Sequence, residues 1–364
     1  MRNIVLSLGC SLILWALQAC HNDTVPEEEP ISRTIIVYMV ADNDLSDDAY
    51  IALEEMQYGF TEQGTQWVVC IDPADDVPHI LEITPGGRKI IKVYPEFNSA
   101  DAVQMGQVLS DILSMYPAQE RGLILWSHGA SWLPAGSRLR SFGNDNGRQM
   151  NIPDLAKSLP IRFDFILFDA CLMASVEVVY ELTDKTDYII ASSTETIYEG
   201  FPYLMIVPEL ILPKINLNAV AHSYFDYYNA QDGAYRSASI SVIETRYLPE
   251  LARSLKQLLE NNAGNLQSFD RESVQRLDVF QEQYTFDLSD FVAKVLPDAN
   301  RAGFVTQLDQ VVRYKNHTPQ FILEYDINTY CGLSCYIPPA GRNDLTAYYK
   351  TLKWYSDAGL NCLF

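Results

Sequence analysis

The chain has 364 residues, of which 48% are hydrophobic, and a formal net charge of −21 at pH 7. This length and apolar content suffice for one large α/β domain, or for a domain with an appendage. The excess of acidic residues argues against a basic patch that binds nucleic acid or anionic lipid.

Residues 1–19 have the pattern of a secretory signal peptide, because Arg2 precedes an apolar run from Ile4 to Leu17. Leu17-Gln18-Ala19-Cys20 resembles a bacterial lipobox, which implies cleavage before Cys20 and a lipid on its thiol. The alternative is an ordinary signal peptide in which Cys20 is incidental. The acidic stretch 20–32 contains two prolines and predicts an extended tether. We therefore expect a lipid-anchored protein of the bacterial cell envelope, on its periplasmic or outer surface.

From residue 33 onward, short apolar runs alternate with segments of helical spacing. Strands are predicted at 34–40, 67–72, 81–83, 89–94, 123–129, 165–171 and 188–192. Helices are predicted at 47–58, 100–116, 152–158 and 175–183, and a polar loop covers 131–150. This alternation favours a mainly parallel sheet that is covered by helices on both faces.

The pattern changes near Asn216. Helices are predicted at 217–230, 247–262 and 298–314, and strands at 238–244 and 332–337. We expect residues 33–215 to form the catalytic domain. Residues 216–364 would form a C-terminal helical subdomain that packs on it and returns strands to the main sheet.

Two of the predicted strands end on residues with reactive side chains, His128 and Cys171. Ligands bind beyond the carboxyl ends of parallel strands, and neighbouring strands lie roughly 5 Å apart. A histidine and a cysteine placed there are suited to act as general base and thiolate nucleophile. Gly129 leaves a backbone amide unshielded, so the amides of Gly129 and Cys171 are natural donors to an oxyanion. This pattern predicts a cysteine peptidase.

Asp169 precedes the cysteine by two residues, and alternate side chains of a strand point to the same side. We therefore expect its carboxylate to line the same cavity as Cys171. A carboxylate in that position favours a cationic side chain, Arg or Lys, just before the scissile bond.

Residues 126–132 and 169–177 resemble the two catalytic motifs of the clostripain family of cysteine peptidases. The stretches 38–45, 200–203 and 332–338 are also similar to that family and follow in its order. The resemblance implies a caspase-like α/β/α sandwich, a His128–Cys171 dyad, and cleavage after Arg or Lys with Asp169 at the floor of the specificity pocket. The chain departs from the family pattern before Glu195, where Ser193 and Thr194 intervene, and at Phe201, where tryptophan is usual.

Several members of that family are zymogens that cut themselves after a basic residue between the two motifs. The corresponding loop of this chain, 131–150, carries Arg138, Arg140 and Arg148. We expect self-cleavage at one of them, with Arg140 favoured. The alternative is a solvated loop whose arginines have no such role.

No metal or other cofactor is expected. Asp42, Asp44, Asp47 and Asp48 cluster after the first strand, but their spacing does not follow the EF-hand pattern. Acidic residues that stabilise the start of a helix are the simpler interpretation. Some relatives use calcium, so a dependence on calcium stays open.

Cys331 and Cys335 lie in a predicted strand, where four residues span roughly 13 Å, too far for a disulfide. Whether either one pairs with Cys362 is left open.

The main functional hypothesis is a monomeric endopeptidase that cleaves peptide or protein substrates after Arg or Lys. A catalytically inactive, surface-anchored binding protein on the same scaffold is the alternative. An amidase or transpeptidase that uses the same dyad is a third hypothesis. The intact motifs around His128 and Cys171 favour the endopeptidase.

Overall fold

The computed structural model describes residues 32–61, 64–135, 141–266, 268–297, 299–339, 341 and 343–363, which belong to one compact unit. The predicted signal peptide, Cys20, Arg138 and Arg140 lie outside the described residues. No helix in the described part of the chain is long and apolar enough to cross a bilayer.

The described residues form strands and helices in alternation. The strands are β1 (Arg33–Ala41), β2 (Thr65–Pro73), β3 (His79–Thr84), β4 (Gly87–Val93), β5 (Glu120–Trp126), β6 (Phe142–Asp145), β7 (Arg148–Met150), β8 (Phe163–Asp169), β9 (Thr186–Ala191), β10 (Ser239–Glu244), β11 (Phe286–Asp287), β12 (Val312–His317), β13 (Gln320–Phe321), β14 (Tyr325–Asp326) and β15 (Ser334–Cys335). The helices are α1 (Ser46–Gly59), α2 (Ala102–Met115), α3 (Ile152–Ser158), α4 (Val176–Glu181), α5 (Tyr203–Leu210), α6 (Leu217–Asn229), α7 (Leu248–Asn261), α8 (Leu288–Val295), α9 (Ala302–Val311), α10 (Asn343–Tyr349) and α11 (Lys353–Asp357).

The main sheet of the described chain has the strand order β12-β10-β9-β8-β5-β1-β2-β3-β4. Its five central strands, from β9 to β2, pair in parallel. The strands at both edges pair antiparallel. The predicted α/β sandwich around a mainly parallel sheet is confirmed, and the hairpin of β3 and β4 is among its edge strands.

Each face of the sheet buries its own apolar core, as the alternation of side chains in β1 illustrates. Ile36, Tyr38 and Val40 pack in the core that includes α2, α3, α4 and α7. Ile35 and Val37 pack in the core that includes α1, α5 and α6. Burying one such aliphatic side chain contributes about 1.5–3 kcal/mol. Because helices cover both faces of the sheet, the central strands have continuous apolar sequences rather than an alternation of apolar and polar residues.

The predicted helix 298–314 is only partly correct. Helix α9 ends at Val311, and Val312–His317 forms the edge strand β12, antiparallel to β10. The segment alternates half-buried and exposed side chains, which suits a strand at the edge of a sheet. Strands β10 and β12 thus extend the same sheet as the earlier strands, while the domain boundary between residues 215 and 216 stays a prediction.

The predicted strand 332–337 does not join the main sheet. Only Ser334–Cys335 is a strand, and it pairs with Phe286–Asp287. Buried carboxylates accept the backbone N–H groups that a longer ladder would use, since Asp287 accepts from Cys331 at 2.6 Å and Glu177 accepts from Tyr336 at 2.9 Å. These bonds satisfy the backbone without a neighbouring strand.

The loop predicted at 131–150 contains a short antiparallel hairpin, β6–β7. Two hydrogen bonds fasten this hairpin to the segment that follows β1: Asn146 donates its N–H to the Asp42 carbonyl at 2.8 Å, and the Asn43 side chain donates to the Asn144 carbonyl at 2.6 Å. The hairpin therefore packs beside the carboxyl end of the central strands.

Candidate active site

Parallel pairing of β5 with β8 brings the two reactive residues to the same edge of the sheet. Trp126 pairs with Asp169, and Ser127 donates its N–H to the Asp169 carbonyl at 3.2 Å. Gly129 packs so closely here that a Cβ added to it would lie 2.7 Å from the Cys171 carbonyl oxygen. A glycine is therefore required for the chain after His128 to approach the backbone of the cysteine.

The thiol of Cys171 is half-buried and is held by Thr196. Its Sγ accepts the Thr196 N–H at 3.3 Å and lies 3.4 Å from the Thr196 Oγ1. Burial raises the pKa of the Cys171 thiol above its ordinary value, although the hydrogen bonds from Thr196 oppose this rise. The thiol is therefore protonated at neutral pH, and it needs a base to become a nucleophile.

The chain turns sharply directly after the cysteine. Leu172 has φ +66°, a left-handed conformation that costs a branched or bulky residue about 1–2 kcal/mol. The Leu172 N–H donates to the Thr194 carbonyl at 2.9 Å, and the Ser175 side chain caps α4 by accepting from Val178 at 3.4 Å. Backbone strain of this kind is concentrated at functional sites. Here it ends β8 with the Cys171 side chain at the strand tip.

His128 is oriented by an acid from the neighbouring strand. Its Nε2 lies 2.8 Å from Oδ1 of Asp44, a residue that follows β1. The His128 side chain is 21% exposed and that of Asp44 is 67% exposed. The Gly143 N–H donates to the His128 carbonyl at 3.0 Å, which ties the histidine to hairpin β6–β7.

This contact was not predicted from the sequence, where Asp44 was interpreted as one of the acids at the start of α1. One signal could have revealed it: Asp44 follows β1, and β1 neighbours the histidine strand β5.

Asp169 is buried two residues before Cys171, with 4% of its surface exposed. Its Oδ2 accepts the Phe201 N–H at 3.2 Å and the Tyr203 hydroxyl at 2.9 Å. Burial raises the pKa of Asp169 to about 7, although these two hydrogen bonds lower it. Gly200 lies directly against this carboxyl group, since a Cβ there would be 2.8 Å from both oxygens. Any side chain at position 200 would therefore fill the space next to Asp169.

Among the predicted site residues, the structure gathers His128, Gly129, Asp169 and Cys171 at one edge of the sheet. Arg148 lies in β7 of the neighbouring hairpin, where it pairs with Asp145, and it is exposed.

The described residues contain no group of three or more His, Cys, Asp or Glu that could hold a metal ion. They contain no disulfide either, because the cysteines they include are all free: Cys70, Cys171, Cys331, Cys335 and Cys362.

Comparison with protein families matches residues 37–343 to the clostripain family, peptidase family C11. The chain belongs to this family. Its members are cysteine peptidases, so the protein is a cysteine-type peptidase, as the sequence motifs predicted. No curated protein matches the sequence.

Solved structures of family C11 proteases with the caspase-like fold resemble this clostripain-family chain along most of its length. A secreted C11 cysteine protease of Bacteroides thetaiotaomicron, solved with an irreversible peptide inhibitor, is 30% identical; 90% of this chain and 99% of that one are covered, with a TM-score of 0.79. An inactive zymogen C11 protease of Parabacteroides distasonis is 28% identical, with coverage of 90% and 97% and a TM-score of 0.79. A further structure, of a clostripain from Bacteroides thetaiotaomicron with a peptide inhibitor, is 30% identical, with coverage of 59% and 97% and a TM-score of 0.53.

Proposed function

We propose that this clostripain-family protein is an endopeptidase that cleaves after Arg or Lys, with Cys171 as nucleophile and His128 as general base. The pairing of β5 with β8 is the observation that carries the proposal, because it sets both side chains at one edge of the sheet. His128 takes the thiol proton and the thiolate attacks the scissile carbonyl. The protonated histidine then gives that proton to the leaving amine, and water hydrolyses the thioester.

The backbone around Gly129 supports its role in holding the oxyanion. Gly129 bridges Phe142 in an antiparallel arrangement whose hydrogen bonds are made by the residues on either side of it: Gly143 donates to His128, and Ala130 donates to Ser141. In such a pair the N–H of the central residue points away from the partner strand. The Gly129 amide thus points away from the hairpin and can act together with the Cys171 amide.

Asp169 is the proposed acceptor of the substrate's basic side chain. It is buried two residues before Cys171, and glycine at position 200 keeps a side chain out of the space next to its carboxyl group. An incoming guanidinium or ammonium group would stabilise the ionised carboxylate and would gain a charge-assisted hydrogen bond. The clostripain from Bacteroides thetaiotaomicron was solved with the peptide inhibitor BTN-VLTK-AOMK, in which K, a lysine, is the last residue.

Asp44 is the proposed positioning residue of His128. A carboxylate bound to one ring nitrogen fixes the orientation of the imidazole and stabilises the imidazolium that forms when the thiol loses its proton. The distance of 2.8 Å between His128 Nε2 and Asp44 Oδ1 supports this role.

Activation by self-cleavage is proposed for the segment 131–150. The related protease of Parabacteroides distasonis was solved as an inactive zymogen. Arg148 is paired with Asp145 in hairpin β6–β7. Cleavage after Arg148 would require this pairing to break so that the segment could enter an active site. Arg140 therefore remains the favoured site, with Arg138 as the alternative. Single changes of Arg138, Arg140 and Arg148 to Ala, followed by mass spectrometry of the fragments, identify the bond; a fully active protein that stays intact overturns the proposal.

We also propose that the protein is exported and carries a lipid on Cys20, which would hold it at the cell envelope. One structural relative was described as secreted. Mass spectrometry of the membrane fraction, compared with a Cys20→Ala variant, tests this. A mature protein without a lipid would contradict it.

Hydrolysis of fluorogenic peptides that end in Arg, Lys or Asp tests the central proposal, with protein that lacks residues 1–20. We expect cleavage after Arg and Lys but not after Asp, and a loss of at least about 1,000-fold in both Cys171→Ala and His128→Ala. Thermal unfolding of each variant controls for folding. Absence of turnover on every peptide, with and without calcium and after mild trypsin treatment, would favour the binding-protein alternative.

A further inference from the structure

An apolar cavity of about 400 Å³ lies next to the nucleophile, and the proposed mechanism does not use it. Three of its lining residues, Thr196, Ile197 and Tyr198, follow β9. Thr196 is also the residue that holds the Cys171 thiol, at 3.3 Å from its N–H and 3.4 Å from its Oγ1. The cavity and the Cys171 sulfur therefore share Thr196 as a neighbour.

The rest of the lining comes from the region of β10 and β12. Ala234 and Tyr235 precede β10, Phe321 and Ile322 follow β12, and Val279 completes the wall. Carbon atoms dominate these side chains, and Tyr198 and Tyr235 are 58% and 48% exposed. Their hydroxyl oxygens lie 3.3 Å apart, so the two rings meet across the mouth of the cavity.

Among the described residues, Glu195 is the one acidic residue of this lining, and its carboxyl group is hydrogen-bonded to the backbone of the cavity wall. Its Oε1 accepts the Val279 N–H at 2.9 Å. Burial raises the pKa of Glu195 to about 8, so the carboxyl group is neutral at pH 7. The cavity therefore presents an uncharged surface, which distinguishes it from the Asp169 site.

The order of strands determines which part of a substrate would reach this cavity. His128 follows β5, on one side of the cysteine strand β8, whereas the cavity lies beyond β9, on the other side. The histidine must protonate the leaving amine, so the segment after the scissile bond lies on the β5 side. The segment before the scissile bond then extends over β9 toward the cavity.

We infer that this cavity is a specificity subsite, and that it binds an aliphatic or aromatic side chain within the three residues that precede the basic residue of the substrate. The inference rests on the proposed function and narrows its substrate class to segments in which an apolar residue comes shortly before Arg or Lys. Thr196 contacts the Cys171 Sγ and also lines the cavity, and an extended chain advances about 3.3 Å per residue, so three residues span roughly 10 Å from the sulfur over this lining.

Two readouts test the inference, with peptides that end in Arg and carry Ala, Leu, Phe or Glu at each of the three preceding positions in turn. The first is kcat/KM of the wild-type protein. The second is Kd, measured by fluorescence anisotropy on Cys171→Ala, which does not require turnover. At one position, we expect Leu or Phe to raise kcat/KM and to lower Kd by about 10–100-fold relative to Ala. Glu at that position should give the lowest kcat/KM and the highest Kd.

Tyr235→Ser should reduce the Leu-to-Ala ratio about tenfold, because it removes one side of the cavity. Tyr58→Ser is the matched control, since Tyr58 is 75% exposed on α1 and should leave the ratio unchanged. Equal Kd values for Leu and Ala peptides overturn the subsite, as does a preference that Tyr235→Ser does not alter. A preference in Kd without any cleavage by the wild type supports the subsite and overturns the proposed peptidase reaction instead.

Discussion

The two sides of the cleft hold their functional groups in different ways. On the β5 side, His128 is oriented by Asp44, whose side chain is 67% exposed. On the β8 side, Asp169 is buried, and burial raises the pKa of both Asp169 and Cys171. Water screens exposed ion pairs. A buried charge, in contrast, interacts strongly with the substrate group that displaces water from the site. Substitutions on the β8 side should therefore have the larger effects.

The largest difference is expected for Asp169→Asn. The amide keeps an acceptor for Phe201 but loses the negative charge that a basic substrate would meet. We expect kcat/KM for Arg and Lys peptides to fall about 100- to 1,000-fold, with little change for a neutral side chain at that position. Asp226→Asn, an exposed acid on α6, is the control. An unchanged preference for Arg would remove Asp169 from substrate recognition.

The pH dependence sharpens the same comparison. With a pKa of about 7, Asp169 is neutral below pH 7 and ionised above it, so kcat/KM for Arg peptides should rise as pH increases through 7. This rise should be absent in Asp169→Asn, whereas a later rise caused by the Cys171 thiol should remain. A wild-type profile that is flat from pH 6 to 8 would contradict the assignment.

The exposed side should respond less. Asp44→Asn removes the charge that faces His128 Nε2, and we expect kcat to fall about tenfold with KM unchanged. Asp47→Asn is the control, because Asp47 lies in the first turn of α1, three residues after Asp44. Equal rates for both variants would mean that Asp44 only stabilises the helix. A fall as large as that of Asp169→Asn would contradict the contrast between the two sides.

A smaller effect is expected at Thr196, whose hydroxyl lies 3.4 Å from the Cys171 Sγ. This hydrogen bond lowers the pKa of the thiol, so Thr196→Val should raise that pKa and slow alkylation by iodoacetamide a few-fold at pH 7. The measurement uses a Cys362→Ser background, since Cys362 is exposed. Thr306→Val, an exposed position on α9, is the control. Alkylation at the wild-type rate would show that the backbone N–H of Thr196 suffices.

The sequence was most informative about the central strands. The two strands that precede His128 and Cys171 were predicted because short apolar runs identify buried parallel strands, and the pairing of β5 with β8 confirms that they are neighbours. Asp44 was missed, because its contact joins residues that are 84 positions apart and depends on which strands are neighbours.

The region after 280 was also predicted poorly, for a related reason. Its backbone groups bind buried carboxylates such as Asp287 and Glu177 rather than a regular ladder, and no periodicity reveals such bonds.

The smallest change in kcat is expected from adding or removing metal ions. This experiment tests the role of Asp44 on the β5 side. Asp42 and Asp44 lie between β1 and α1, and Asp47 and Asp48 lie in the first turn of α1. Because Asp44 already contacts His128, we expect EDTA and millimolar calcium to change kcat by less than about twofold. A loss of activity in EDTA that calcium restores would contradict this. If Asp44→Asn then abolished the response to calcium, the exposed acid would serve as a cation ligand rather than as the partner of the histidine.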